Sequence, residues 1–220
     1  EVTFSSAQMI NETQMQNIAG VLKNRYNAKR IIFNEKLELQ KHILLDFLPN
    51  KCENVEAFIY QNSSIVFLYK YIDKGIGYAE FASLNLDGLL KRQSLVFEKK
   101  TSLFKGDITE FNWAISEDKK QFVLYNAQQR QNSFQIQYCY NVADSLSAIH
   151  TVSVPTNEIA LLSKFVLNKD GVLATFIQDV SASLNKPFSH ALATIHLVDE
   201  SVGFSSIPLP SNAYAVEHLV

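Results

Sequence analysis

Short polar clusters recur along the chain, and each lies between two stretches in which apolar and polar residues alternate. Alternation with a period of two is typical of a β-strand with one buried face, and Asn, Asp, Ser and Gly favour tight turns. Each cluster therefore predicts a turn between two antiparallel strands. The eight clusters are residues 11–13, 34–36, 62–64, 87–88, 117–119, 144–145, 168–171 and 199–201.

The spacing of these clusters indicates an internal repeat. Taken alternately, they form two series, one through residues 12, 62, 118 and 170 and the other through residues 35, 87, 144 and 199. Each series advances by about 50 to 57 residues. The flanking positions keep this step, because Ile115 matches Leu167 and Asp118 matches Asp170, both at a separation of 52. The chain is therefore expected to repeat one supersecondary unit.

Four short strands in about 53 residues are typical of a β-propeller blade, so the sequence predicts an all-β fold of antiparallel four-stranded blades. One domain, residues 1–220, is expected to hold four repeats. Residues 213–220 then either close a four-bladed ring or begin a further blade of a larger propeller. The larger propeller is the preferred interpretation. The prolines at positions 49, 155, 208 and 210 fall at repeat ends, where a missing N–H is tolerated. The repeats are about residues 1–49, 54–100, 108–155 and 160–210.

Residues 6–23 fit two interpretations. Met15, Ile18, Ala19 and Leu22 follow helical spacing, which favours an amphipathic helix. Two strands, residues 2–10 and 17–23, would instead complete the first repeat, and Gly20 weakens a helix by roughly 1 kcal/mol. Two strands are the preferred prediction, and the helix remains the alternative.

Composition narrows the classes of partner. Twenty Lys and Arg face 22 Asp and Glu, and the formal net charge of −2 predicts no nucleic-acid binding. No apolar run approaches the roughly 18 residues that span a bilayer, so no membrane insertion is expected. Two cysteines, Cys52 and Cys139, could form at most one disulfide and have no metal-binding spacing; small buried or half-buried thiols are the preferred interpretation. Few cysteines and a first residue other than Met are compatible with an exported protein, which is the preferred location.

The segment FNWAISEDKKQFVLY at residues 111–125 carries an Asp-Lys-Lys turn between two apolar strands, and LNKDGVL at residues 167–173 repeats it. These segments resemble the hairpins of WD40-like β-propeller repeats, and the resemblance covers most of the chain. It implies blades around a central channel, with loops at both ends that present whatever binds. Fold alone does not imply a function.

The side chains that could catalyse a reaction or bind a metal are each better explained by a structural role. No catalytic, cofactor-binding or metal-binding residue is predicted. His190 and His196 lie about 20 Å apart along one strand, too far to share an ion. The chain has no Gly-x-Ser-x-Gly elbow and no glycine-rich phosphate loop. The acidic pairs Asp199-Glu200 and Glu117-Asp118 lie at predicted turns, where solvated carboxylates are ordinary. The turn aspartates are expected to form hydrogen bonds within their turns rather than to bind calcium. The remaining histidines are His42, His150 and His218, and the remaining turn aspartates are Asp87 and Asp170.

Aromatic residues leave one open question. Trp113 alternates with Phe111 and Ile115, which predicts a packed core position. Several of five strand tyrosines have parity opposite to aliphatic residues, so these tyrosines either pack between stacked blades or form a recognition surface. Packing is the preferred interpretation. These tyrosines are Tyr69, Tyr71, Tyr78, Tyr138 and Tyr140.

The sequence thus predicts a non-catalytic binding or scaffold module, part of a larger protein, that presents propeller loops to a protein or glycan partner. The alternative is the propeller portion of a hydrolase or lyase whose site lies on loops at the channel mouth. A third hypothesis is a structural part whose end strands pair with another chain. Oligomeric state stays open.

Overall fold

In the described part of the computed structural model, every regular element is a β-strand and every strand pairing is antiparallel. The prediction of an all-β chain with antiparallel sheets is therefore confirmed for the described residues. These strands form four sheets, and each sheet is built from one continuous stretch of sequence. The structure describes residues 18–23, 28–33, 39–49, 52–61, 63–100, 111–142, 145–156, 160–179 and 190–207.

The chain divides into two compact units, Glu1–Gly106 (unit 1) and Asp107–Val220 (unit 2). The first described sheet of unit 1 has the order β1-β2-β3 and is formed by Ile18–Lys23, Ala28–Phe33 and Leu39–Leu44. Residues 18–23 form a strand, so the helical alternative for this segment is wrong over these residues. The strand predicted at residues 2–10 lies outside the described residues.

The second sheet completes unit 1 as a four-stranded meander in the order β4-β5-β6-β7. Two of its hairpins close where polar clusters predict turns, near residues 62–64 and at residues 87–88. The third closes at Lys74 and Gly75, which both adopt positive φ, as a two-residue hairpin requires. Its strands are Cys52–Tyr60, Ser64–Asp73, Ile76–Asn85 and Leu90–Lys100.

The third sheet is the first of unit 2 and runs β8-β9-β10-β11, with β12 also paired to β10. Its β8–β9 turn lies at the predicted cluster of residues 117–119. Lys119 there has a φ of 55°, a left-handed conformation. The strands are Phe111–Ile115, Phe122–Arg130, Ser133–Val142, Ser145–Leu146 and His150–Pro155.

The fourth sheet runs β13-β15-β16-β17, with β14 also paired to β15. Its β14–β15 and β16–β17 turns fall at the predicted clusters of residues 168–171 and 199–201. The strands are Ala160–Leu162, Val166–Leu167, Val172–Asp179, His190–His196 and Val202–Ile207.

Each sheet of unit 2 contributes one face to a shared hydrophobic core. Ile136 and Val154 of the third sheet lie in the same cluster as Leu173 and Ile195 of the fourth. The third sheet is buried on its second face as well, where Trp113 and other apolar side chains lie. Trp113 is therefore a core residue, as predicted. Each side chain of this kind contributes about 1.5–3 kcal/mol when it is fully buried.

The second sheet is also buried on both faces. Phe67 and Leu84 on one face pack with Leu45 and Leu48 from the segment before β4. Leu68 lies on the opposite face, which is equally buried. Because both faces carry apolar side chains, the inner strands are continuous hydrophobic runs rather than alternating ones.

The β14–β15 turn shows how the polar clusters reverse the chain. The side-chain oxygen of Asn168 accepts hydrogen bonds from the backbone N–H groups of Asp170 (2.9 Å) and Val172 (2.8 Å). Gly171 closes the turn with a φ of 77°. Ser116, 52 positions earlier, accepts the same kind of bond from the N–H of Gln121 at 2.9 Å. The repeat seen in the sequence is thus a repeat of turn chemistry.

We expect Asn168→Ala to lower the free energy of unfolding by about 1–2 kcal/mol, because two N–H groups lose their acceptor. Asn168→Asp keeps an oxygen at the same place and should stay within about 0.5 kcal/mol of the wild type. Urea unfolding followed by Trp113 fluorescence measures both variants. Equal stability of the alanine and aspartate variants would show that the turn does not depend on this side chain.

No helix in the part of the chain described above is long and apolar enough to cross a lipid bilayer.

Candidate functional site

Equivalent turns of the third and fourth sheets meet at one end of unit 2. The side-chain amide of Gln121, at the β8–β9 turn, donates to the backbone oxygen of Lys169, at the β14–β15 turn, at 2.8 Å. At the second pair of turns, His150 Nδ1 lies 2.9 Å from Glu200 Oε1. We call this end the turn face. It comprises residues 116–121, 141–142, 145–150, 168–171 and 197–201.

Hydrogen bonds within each sheet fix the turns of this face. The N–H of Leu197 donates to the oxygen of Gly171 at 3.0 Å, which joins the two turns of the fourth sheet. In the third sheet the side chain of Asn141 accepts from the N–H of Phe122 at 2.6 Å and donates to the oxygen of Lys120 at 3.1 Å. Turns held in this way form a rigid support for exposed side chains.

His150 sits between aromatic rings and a carboxylate. Its ring stacks on Tyr138 and Tyr140, with centroid distances of 5.3 and 5.6 Å. Glu200, which contacts this ring, lies in the β16–β17 turn of the fourth sheet and has a φ of 59°. The carboxylate orients the imidazole as it does in acid–base sites. Within the described residues, His150 has no hydrogen bond to a serine or cysteine.

The hydroxyl of Tyr138 is buried and has no hydrogen-bond partner among the described residues. Burial raises the pKa of this phenol to about 12, and the negative charge of Glu200 adds to the shift. A buried hydroxyl without a partner destabilises the folded state.

We therefore expect Tyr138→Phe to raise the free energy of unfolding by about 1 kcal/mol. Tyr125→Phe is the matched control, because the Tyr125 hydroxyl lies in the same core and accepts from the N–H of Phe165 at 3.2 Å. That variant should lose about 1 kcal/mol. Urea unfolding compares the two. Equal destabilisation would show that the Tyr138 hydroxyl is satisfied in solution.

Exposed aliphatic residues recur in three sheets near the point where the chain turns toward the outer strand. Leu86, Val142 and Val198 are exposed and lie 56 positions apart, since 86 + 56 is 142 and 142 + 56 is 198. Val198 is the extreme case, with 83% of its surface exposed. On the turn face, exposed Ile149 precedes His150, and Val198 lies two residues before Glu200. Both therefore flank the contact between the two sheets.

A second polar cluster lies within the second sheet. Glu80 is 8% exposed, and its carboxylate accepts hydrogen bonds from the hydroxyls of Tyr69 (2.5 Å) and Tyr71 (2.6 Å) and from the amide of Gln93 (2.9 Å). Burial raises the pKa of both tyrosines well above the ordinary value, and the hydrogen bond to Glu80 raises it further. Tyr78 stacks on Tyr71 at 4.9 Å. The three partners of Glu80 all donate hydrogen bonds to its carboxylate. These bonds offset the cost of burying this side chain.

The five tyrosines singled out from the sequence thus fall into two clusters. Tyr69 and Tyr138 are fully buried, whereas Tyr71, Tyr78 and Tyr140 are half-buried. The preferred prediction of packing holds for the first two, and the other three combine packing with partial access to solvent.

Two turn aspartates make the bonds expected of them. Asp118 accepts from the hydroxyl of Ser116 (2.7 Å) and from the N–H of Lys120 (3.1 Å). Asp199 accepts from the N–H and the hydroxyl of Ser201, at 3.0 and 2.7 Å. These bonds lower the pKa of each carboxyl. The largest effect comes from the Ser116 hydroxyl for Asp118 and from the Ser201 N–H for Asp199.

The other candidates lie apart from one another. His190 is buried at the start of β16 and stacks on Phe176 at 5.3 Å, whereas His196 is exposed at the end of the same strand. Cys52 is half-buried, Cys139 is buried, and neither forms a disulfide. No group of three His, Cys, Asp or Glu side chains in the described ranges is close enough to hold a metal ion. His218 and the side chain of His42 lie outside the described residues.

Sequence reasoning missed Glu80, Gln93 and the pairing of His150 with Glu200. Glu80 had a signal, because it alternates with Tyr78 and Ala82 on a strand whose other members at this parity are apolar. The pair of His150 and Glu200 had none, since the two residues are 50 positions apart and meet only when neighbouring sheets pack.

Comparison with models of known protein families gives no match for this chain, and comparison with curated proteins gives none either.

Proposed function

We propose that the four sheets are β-propeller blades and that the chain is a non-catalytic module that binds a protein partner through the turn face. The observation that carries this proposal is the set of exposed aliphatic residues on the turn face, Val142, Ile149 and Val198. Exposed apolar side chains that lie together on a surface are typical of protein interaction sites.

Three observations support the arrangement of the sheets as blades. Each of the last three sheets is a continuous antiparallel meander. The second and third sheets are buried on both faces, as sheets stacked between neighbours are. Equivalent turns of the third and fourth sheets contact each other, as they do when successive blades share one orientation.

A protein partner fits this face better than a glycan does. The exposed apolar side chains are aliphatic, namely Val142, Ile149 and Val198, whereas the aromatic rings nearby are partly or fully buried. The turns of the same face also carry charged residues, with Lys120 paired to Asp118 at 3.9 Å. Apolar and charged side chains occur together in protein interfaces.

A displayed peptide library tests the proposal. Peptides selected on the wild-type chain should bind at least about 10-fold more weakly to a triple variant, Val142→Ser, Ile149→Ser and Val198→Ser. Leu161→Ser is the matched control, because Leu161 is an equally exposed aliphatic residue outside the turn face. It should change affinity less than about 2-fold. Equal binding to the triple variant would contradict the proposal, and selection of glycans from an array by the same residues would change the partner class.

The second candidate function is a hydrolase or lyase, and the pairing of His150 with Glu200 favours it. A histidine oriented by a carboxylate is the usual general base. A panel of chromogenic esters, glycosides, phosphates and peptides tests this function. Turnover that is lost in His150→Ala, with peptide binding retained, would establish the enzyme and overturn the non-catalytic proposal.

A further inference from the structure

Strand β17, Val202–Ile207, is the last strand of the fourth sheet and a regular one. All six of its residues pair with β16 in a single register, from Val202 opposite Ile195 to Ile207 opposite His190, without a bulge. In the described part of the chain β17 pairs with β16 alone. Its outer edge therefore offers a row of N–H and C=O groups to another strand.

The residues that usually protect an edge strand from association are missing from β17. Charged side chains and proline are the common protection. Strand β7 contains five charged residues, and β12 ends at Pro155. The sequence VGFSSI of β17 contains neither a charged residue nor a proline. The formal net charge of the whole chain is only −2, so two copies repel each other weakly.

The apolar side chains of β17 extend the core face of the fourth sheet. Phe204 lies opposite Ala193, and Val202 lies opposite Ile195, so both share a face with residues of the unit 2 core. Phe204 is nevertheless 50% exposed and Val202 38% exposed. A further strand beside β17 would continue this face and cover both side chains.

A second copy of β17 fits this edge. In an antiparallel pair, directly opposite residues point to the same face, so a two-fold axis between two copies of β17 passes through a pair of identical residues. An axis at Phe204 places the two Phe204 rings opposite each other and Val202 opposite Ser206 of the second copy. An axis at Ser205 would place each ring opposite Ser206. Cross-strand aromatic pairs favour the first register.

We propose that β17 pairs antiparallel with β17 of a second copy, with Phe204 on the two-fold axis, and that the chain forms a symmetric dimer through one continuous sheet. Both copies use the same edge, so assembly stops at two. Six residues span only about 20 Å, and this short contact predicts a weak, concentration-dependent dimer. The proposal stands whether or not the turn face binds a partner.

Sedimentation equilibrium from about 5 µM to about 1 mM tests the dimer, because a weak contact dissociates within this range. The average mass should rise with concentration from 24.9 kDa toward twice that value. Phe204→Lys should raise the dissociation constant at least about 10-fold, because it places like charges opposite each other. Val166→Lys is the matched control, since Val166 is 49% exposed in the same sheet but lies on β14. It should change the constant less than about 2-fold.

Cysteine cross-linking tests the register. In a Cys52→Ser background, Phe204→Cys should form a disulfide between two copies under mild oxidation, because directly opposite side chains lie within reach. Ser206→Cys, on the same strand and face, should remain unlinked because it lies opposite Val202. Circular dichroism confirms that each variant is folded.

Three results would overturn the proposal: a monomer at every concentration, a dimer that Phe204→Lys leaves intact, or linking at position 206 but not at position 204. A monomer that binds extended peptides in a manner that depends on Phe204 would assign this edge to a different protein, and it would equally exclude the dimer.

Discussion

Glu80→Ala is expected to lower the free energy of unfolding by about 3 kcal/mol, because the buried hydroxyl of Tyr69 and two more accessible donors lose a common acceptor. The hydroxyls of Tyr69 and Tyr71 and the amide of Gln93 all point at this carboxylate, at 2.5, 2.6 and 2.9 Å. Tyr69 is fully buried, so water cannot replace the lost acceptor without opening the sheet. Urea unfolding followed by circular dichroism measures the loss. Hydrogen exchange of the β5 amides locates it in unit 1.

Two further variants control for this expectation. Glu80→Gln keeps the shape but offers one accepting oxygen, and it should lose about 1–2 kcal/mol. Glu98→Ala removes an exposed acid from the neighbouring strand and should stay within about 0.5 kcal/mol of the wild type. A Glu80→Ala variant as stable as Glu98→Ala would show that the hydrogen bonds to Glu80 contribute nothing net.

The alternation of apolar residues and the turn clusters were enough to predict the all-β class and most of the hairpins. This worked because turn residues act locally. Asn168 bonds to N–H groups two and four positions ahead, so the sequence alone contains the complete interaction. The β5–β6 turn at Lys74 and Gly75 is equally local, and its Lys-Gly pair was overlooked among more polar clusters.

The candidate sites depend on packing and were not predictable in the same way. His150 meets Glu200 because two sheets share a core, and no local pattern connects them. Glu80 lies on a face that alternation predicts to be apolar, and only Tyr69, Tyr71 and Gln93 make its burial tolerable. The step of 56 residues among Leu86, Val142 and Val198 was present in the sequence. Its meaning depends on exposure, which the structure supplies.

Unit 2 is expected to lose stability as the pH rises above about 9. Burial raises the pKa of the Cys139 thiol from 9.0 to about 12 and that of the Tyr125 phenol from 10.0 to about 12. The folded chain therefore keeps both protons at a pH where the unfolded chain releases them. Stability is fully present below the unfolded values and falls by about 1.4 kcal/mol per pH unit for each group.

Between pH 8 and pH 11 the two groups together should lower the free energy of unfolding by about 4 kcal/mol. The raised pKa of Tyr138 acts in the same direction. Urea unfolding followed by fluorescence reports unit 2 alone, since Trp113, the single tryptophan, lies on β8. Cys139→Ala should flatten the slope between pH 9 and 11 by about 1.4 kcal/mol per unit, whatever its stability at neutral pH. An unchanged slope in this variant would mean that the thiol does not keep its proton in the folded chain.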